Sequence, residues 1–368
     1  MRLIYLSPLP WHSFFQRPHE LVRYFHSRTG GEVLWIDPYP TRLPVLADFI
    51  RRRPKAAGMD GNVPDWLTLV TPKALPIEPV PLSGSINRLF WGEVMEKANR
   101  FTVGSTILGI GKPSELALQL LSRKVYATSF YDAMDDFPAF YTGWSSIAMA
   151  NREGRTVREV STVLVSSSAL QNRLKQLARD VRLVLNACAS SRLPALPDKQ
   201  SLKKMEAPVI GYVGTVAHWF DWDLVVALAK AHPKAKFRLI GPLYGRLPTS
   251  LPINIVLEPP LPHAEALNEM AHFDIGLIPF KQTPLTHSVD PIKYYEYRAM
   301  GLPVISSAFG EMALRTESDG VFLIDRNSDM TNVIKQALAS TTTHAEIAQF
   351  RIDNSWESRF DGTNVFTS

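Results

Sequence analysis

Lys293 and Glu296 stand three residues apart in the run D-P-I-K-Y-Y-E-Y-R-A-M-G-L-P-V-I-S, Asp290 to Ser306. On a helix that spacing puts both side chains on one face. Pro291 suits the first helical position, where its missing N–H costs nothing, and Asp290 is placed to cap the start. A helix start offers unpaired N–H groups and a positive dipole end to an anion. A lysine there completes a site suited to a diphosphate, and a carboxylate one turn on can accept hydrogen bonds from sugar or ribose hydroxyls. Gly301 and Pro303 end the helix. The competing reading is a solvated surface pair, worth only ~0.2–0.5 kcal/mol.

A second concentration of chemistry is S-F-Y-D-A-M-D-D-F-P, Ser129 to Pro138. Asp132, Asp135 and Asp136 are expected to follow a strand ending near Thr128. Clustered carboxylates raise one another's affinity for protons and can supply a general base; an acidic turn with a helix cap is the plainer alternative. F-F-Q-R-P-H, Phe14 to His19, follows the first strand and brings Arg17 to a turn, with His12 just before it. In the second half, I-G-Y-V-G-T-V-A-H-W-F-D-W places Gly214 and Thr215 between a strand and a helix, where a small residue lets backbone approach phosphate. Asp221 in that motif reads as a helix cap. L-I-G-P-L-Y, Leu239 to Tyr244, and G-L-I-P-F, Gly276 to Phe280, are two further strand ends.

Short apolar runs alternate with helical patterns almost throughout, which argues for parallel sheets covered on both faces. Strands are expected at Leu3–Leu6, Val33–Ile36, Thr106–Gly109, Lys124–Thr128, Thr162–Val165 and Val181–Leu185. After a Pro-, Ser- and Lys-rich stretch the alternation restarts with strands at Val209–Val213, Phe237–Ile240, Asn254–Leu257, Ile275–Ile278, Pro303–Ser306 and Val321–Ile324. The expected organisation is a first domain over residues 1–188, a linker over 189–206, a second domain over 207–350 and a tail over 351–368 that returns to the first.

The chain has 368 residues, 45% hydrophobic and 20% charged, enough for two cores. No apolar run approaches the ~18–20 residues that span a bilayer, and M-R-L-I-Y-L-S-P reads as a first strand and not as a signal peptide. A single cysteine, Cys188, allows no internal disulfide and fits a reducing cytoplasm. Residues 1–200 carry 25 Lys+Arg against 17 Asp+Glu, net +8, and the remainder is net −3. The basic half, with its run Arg51, Arg52, Arg53 and Lys55, suits either a solvated loop or an anionic membrane surface. Nucleic acid is not expected, since no recognised module is present. V-G-S-T-I-L-G-I-G-K-P-S fails as a P-loop because Pro113 occupies the Ser/Thr site, and no dinucleotide fingerprint follows the first strand.

The Asp290–Ser306 run resembles the nucleotide-sugar motif of the GT4 glycosyltransferases, especially those of bacterial teichuronic-acid and exopolysaccharide synthesis, roughly N-P-x-K-x-x-E-Y-x-A-x-G-x-P-V. The segments at Gln16–His19, Tyr131–Asp136 and Gly211–Asp221 resemble others of that family. The resemblance runs from Ser7 to about Ser307. It implies an α/β chain of GT-B fold, two doubly wound Rossmann-like domains facing a central cleft with a C-terminal helix crossing back. It implies a nucleotide-diphosphate sugar donor, UDP-linked by preference, held through Gly214, Thr215, Lys293, Glu296, Asp290 and Tyr244, with the lysine on the diphosphate and the glutamate on the ribose. Arg17 and His12 are expected on phosphate or acceptor. The Ser129–Pro138 segment is also similar to the catalytic-aspartate segment of xanthan glucuronosyltransferase, which ranks Asp135 first as base, ahead of Asp132 and Asp136. The acceptor implied is a lipid-linked or oligosaccharide glycan of a bacterial surface polysaccharide, with no metal and no cofactor, in the cytoplasm and peripheral on the inner face of the plasma membrane. An epimerase or hydrolase of the same architecture, and a non-catalytic binder of nucleotide sugar or polysaccharide, are the alternatives. One departure stands out: the family's first glutamate, eight before Glu296, is Ser288 here, which leaves sugar identity and stereochemistry open.

Overall fold

The structure, a computed structural model, describes residues 1–41, 63–78, 83–195 and 207–366. The basic run Arg51–Lys55 and most of the expected linker lie outside the described residues. The chain divides into two units: Met1–Leu185 together with the chain end from Phe360, and Asn186–Arg359.

The first unit is built on seven parallel strands: β1 (Arg2–Leu6), β2 (Glu32–Ile36), β3 (Leu67–Val70), β4 (Thr106–Ile110), β5 (Thr128–Ala133), β6 (Thr162–Val165) and β7 (Val181–Leu183). Their order across the sheet is β3-β2-β1-β4-β5-β6-β7. Runs such as L-I-Y-L in β1 and V-L-W-I in β2 are buried on both faces, the signature of a parallel sheet sandwiched between helices. The helices include Arg17–Thr29, Glu115–Leu121, Gly143–Glu159 and Ser168–Leu174. Phe360 and Phe366 close the unit by packing on Tyr24, Phe25 and Phe130, while the Tyr24 hydroxyl donates to Asp361 at 2.5 Å.

The second unit has six parallel strands: β8 (Val209–Val213), β9 (Lys236–Ile240), β10 (Ile255–Glu258), β11 (Ile275–Ile278), β12 (Val304–Ser307) and β13 (Val321–Ile324), in the order β10-β9-β8-β11-β12-β13. Each sheet reverses its winding once, between β1 and β4 in the first and between β8 and β11 in the second. In doubly wound sheets ligands bind outside the carboxyl ends of the strands at such a reversal. Both regions of interest from the sequence lie at carboxyl ends.

One strand differs from expectation where it matters. Lys124–Thr128 is not a strand: Lys124 adopts a left-handed turn, φ 50°, and β5 begins only at Thr128. Asp132 therefore lies inside β5, paired in register with Leu164 of β6, and only Asp135 and Asp136 follow it. The sequence hides this because a carboxylate in a buried strand needs a partner that local pattern does not reveal.

Candidate functional site

In the second unit the backbone leaves β8 through Gly214 at φ +142°, a conformation that L side chains rarely adopt. A Cβ there would also strike the Lys293 side chain, with Nζ 2.7 Å away. Gly241, at φ +143°, leaves β9 in the same manner, and a Cβ on it would meet the Gly214 carbonyl. Two strand ends thus lie flush together beneath one lysine. Lys293 sits in the first turn of the helix Ile292–Arg298, its ammonium 5.5 Å from the centre of the Tyr212 ring. That ring is fixed by its hydroxyl, which donates to the Thr215 carbonyl at 2.7 Å. Lys293 makes no hydrogen bond or ion pair within the described residues. Burial pushes its ammonium below the ordinary lysine value, with the nearby Glu296 carboxylate opposing. A cation so placed is stabilised by an incoming anion.

Glu296, 8% exposed, lies one turn on along the same helix. One carboxylate oxygen is 3.1 Å from His263 Nε2. Asp290 departs from its expected roles. Pro291, with extended backbone, occupies the capping position, and the Asp290 carboxylate turns inward. It accepts from the Asn186 N–H at 2.8 Å, the Tyr295 hydroxyl at 2.8 Å and Arg315 at 2.7 Å. It is a buried hub that anchors the helix, neither its cap nor a group open to a ligand. Tyr244 is exposed on the loop after β9, its N–H donating to the Val216 carbonyl at 2.7 Å. Asp221 caps the helix Trp222–Ala231 by accepting from the Asp223 and Leu224 N–H groups, as expected. Among the described residues, no three His, Cys, Asp or Glu side chains gather as a metal-holding group.

In the first unit the three aspartates divide by environment. Asp132 is fully buried and ion-paired with Arg17, with Nε and one terminal guanidinium nitrogen each 2.8 Å from the same oxygen. Arg17 also donates to the Val184 carbonyl at 2.5 Å. Arg17 is 0% exposed, so it is committed inside the unit and is not the open contact expected of it. Asp136 lies 3.4 Å from Arg173. Asp135 makes no side-chain hydrogen bond or ion pair within the described residues. Desolvation raises its carboxyl to about 7; Arg17 opposes the rise, and Asp132 and Asp136 add to it. His12 is exposed on the loop after β1. His19 is buried, with Nδ1 accepting from the Gln16 N–H and Nε2 within 2.9 Å of the Trp11 carbonyl.

The Arg17–Asp132 pair makes a stability prediction. Arg17→Leu leaves a buried carboxylate uncompensated, which costs about 3–5 kcal/mol. The double variant Arg17→Leu/Asp132→Leu removes both charges and should recover a large part of that loss. Urea denaturation of the three proteins is the check; a double variant no more stable than Arg17→Leu would show that the pair is not what holds this corner.

No protein-family model matches the chain. A curated relative from Bacillus subtilis (strain 168), named for a teichuronic acid biosynthesis glycosyltransferase, TuaH, is 26% identical over 197 residues. That match takes in 48% of this chain and 49% of the relative, so the chain spans about half the length of the curated relative it matches. Among solved structures, sucrose-phosphate synthase from Thermosynechococcus elongatus superposes with a TM-score of 0.70 at 13% identity, covering 99% of this chain and 98% of that one. Anabaena HepE, solved in complex with UDP-glucose, gives a TM-score of 0.65 at 13% identity over 98% of both chains. The chain has a GT-B fold. The second unit carries Gly214 at the carboxyl end of β8 with the Lys293 side chain against it, and the first carries Asp135 just after the carboxyl end of β5.

Against that GT-B frame, the sequence reading missed three groups. Tyr212 and Gly241 lie within motifs already singled out, but their contacts to Lys293 and Gly214 are made only by folding. His263 stands 33 residues from Glu296 at the start of the helix His263–Met270, and no local spacing links the two. Ser288, at the position of the family's first glutamate, is buried.

Proposed function

We propose that this chain is a glycosyltransferase that moves a sugar from a nucleotide-diphosphate donor, UDP-linked by preference, to a glycan or lipid-linked acceptor in bacterial surface-polysaccharide synthesis. The observation that carries the reading is the ammonium of Lys293, without an anionic partner among the described residues, lying over the glycine bend at the end of β8. Such a cation meets the charge that develops on a leaving diphosphate without needing a metal. Glu296 then takes the ribose hydroxyls, and Gly214 and Thr215 let backbone approach the phosphates. In the first unit Asp135 serves the acceptor hydroxyl: it takes the proton directly if the reaction inverts, and orients the acceptor while the leaving phosphate takes that proton if it retains. The teichuronic-acid relative and the UDP-glucose complex of HepE support the choice of reaction and donor. No helix among the described residues is long and apolar enough to cross a membrane. The net +8 of residues 1–200 supports contact with anionic headgroups, and the reading places the protein in the cytoplasm at the inner face of the plasma membrane.

The test is a thermal-shift panel of UDP, GDP and dTDP sugars, followed by a transfer assay with the donor that stabilises most. Ligand at 100 times Kd adds about 2.7 kcal/mol of stability, a shift of several degrees. If no nucleotide diphosphate moves the melting temperature, the donor reading is lost. Sedimentation with anionic but not neutral vesicles at low salt tests the membrane element; equal binding to both removes it.

A further inference from the structure

Glu296 is held in an unusual way for a carboxylate that is almost wholly covered. Its side chain is 11% exposed, yet within the described residues it has one polar partner, His263. The ammonium of Lys293 is near enough to exert a field on it but forms no ion pair with it. His263 Nε2 contacts Oε1 at 3.1 Å; Oε2 has no protein partner there. His263 is the first residue of its helix, directly after Pro262, so its backbone is fixed by a proline on one side and by the helix on the other. The ring is a third exposed, at the rim of the site and not in the core.

A carboxylate held by one oxygen cannot turn freely about its last bond. Its second oxygen points in a set direction with its lone pairs available; it is not among the wholly buried acceptors that lack a donor, so an incoming hydroxyl can reach it. Two adjacent hydroxyls satisfy such an oxygen. We propose that His263 is the positioning residue for Glu296: it holds Oε1 so that Oε2 faces the vicinal 2′- and 3′-hydroxyls of the donor's ribose. The inference rests on the donor reading above and adds to it a residue outside every sequence motif of the site. It also predicts which substitution is tolerated. Glutamine can present an N–H donor to Oε1 from a side chain of similar reach; alanine cannot.

The experiment is calorimetry of UDP and 2′,3′-dideoxy-UDP on the intact protein, His263→Ala and His263→Gln. The wild type should prefer UDP by about tenfold, the worth of one good hydrogen bond to a charged group. His263→Ala should lose most of that preference by weakening UDP alone, leaving the dideoxy compound bound as in the wild type. His263→Gln should keep the preference. If His263→Ala weakens both nucleotides in parallel, or retains the wild-type ratio, His263 is not positioning Glu296. If the wild type binds neither nucleotide, it is the donor reading itself that fails, a result separable from the first.

Discussion

Asp135→Asn should lower sugar transfer by a factor of about 10²–10⁴, the usual worth of a positioned general base, while UDP binds as tightly as before. The substitution is nearly isosteric and removes only the ability to accept a proton. Asp135 is singled out by what its neighbours are doing. Asp132 is committed to Arg17 and Asp136 to Arg173, which leaves Asp135 as the carboxylate with a proton affinity near neutrality, its carboxyl raised to about 7. Transfer by the wild type should therefore rise with pH and level off above about 7. The same shift has a stability consequence of definite sign. The folded protein holds the Asp135 proton between about pH 4, where an unfolded aspartate ionises, and about 7. Stability from this group is present below that window and is lost as pH rises through it. Asp135→Asn should be more stable than wild type at pH 8 by about 1–2 kcal/mol, after allowing for solvent screening of a partly exposed group, and nearly equal to it at pH 4. Transfer near the wild-type rate would remove Asp135 as the base, and equal stabilities at pH 8 would remove the raised proton affinity.

Much of the fold was legible because its strands are buried on both faces. Val209–Val213, Ile275–Ile278 and Val321–Ile324 are continuous apolar runs bounded by Gly, Pro or polar residues, and each forms a strand with those limits. The reading failed where burial and polarity part company. β5 carries Asp132 within it, so the pattern T-S-F-Y-D-A looked like the beginning of a loop; the charge is tolerated because Arg17, 115 residues away in sequence, neutralises it. β3, Leu67–Val70, went unread: it is four residues long with only its two ends buried, too short for alternation to show. The helices Ser83–Asn87 and Gly92–Phe101 were also missed, since each includes a glycine in its first two residues, which lowers helix propensity.

The candidate sites show the same division. Lys293 and Glu296 could be paired from sequence because a helix converts a spacing of three into a shared face. Gly214 could be suspected because it stands between a strand and a helix, where a tight turn is the common use of a glycine and close backbone approach to a phosphate the sharper one. Asp290 was misread because Asp before Pro is the ordinary dress of a helix start. Its real partners, Asn186, Tyr295 and Arg315, come partly from segments 25 and 104 residues away. Arg17 was misread for the complementary reason: an arginine at a turn after a strand resembles a ligand contact until its buried partner is known. Sequence reveals which groups share an element; it does not reveal which charges cancel.

Lys293→Ala should weaken UDP binding by roughly 30-fold, the equivalent of ~2 kcal/mol for a charge-assisted hydrogen bond. The fold itself should suffer little. Lys293 has no ion pair to lose within the described residues, and its ammonium is held below the ordinary lysine value by burial, so removing it relieves a desolvation cost. A variant that binds less and melts no lower is the signature of a group kept for a ligand and not for stability. Lys293→Met separates charge from packing: it keeps an unbranched chain across Tyr212 and Gly214 while deleting the ammonium, and should bind UDP as poorly as Lys293→Ala. The lowered proton affinity adds a pH test. As pH rises through the alkaline range Lys293 loses its charge sooner than an ordinary lysine would, so UDP affinity should decline more steeply in the wild type than in Lys293→Met, the variant accounting for the ionisation of the uracil ring itself. Calorimetry at pH 7 and pH 10 supplies all of these readings. Full UDP affinity in Lys293→Met would mean that the cation over the glycine bend serves no diphosphate, and the donor site would have to be sought elsewhere in the chain.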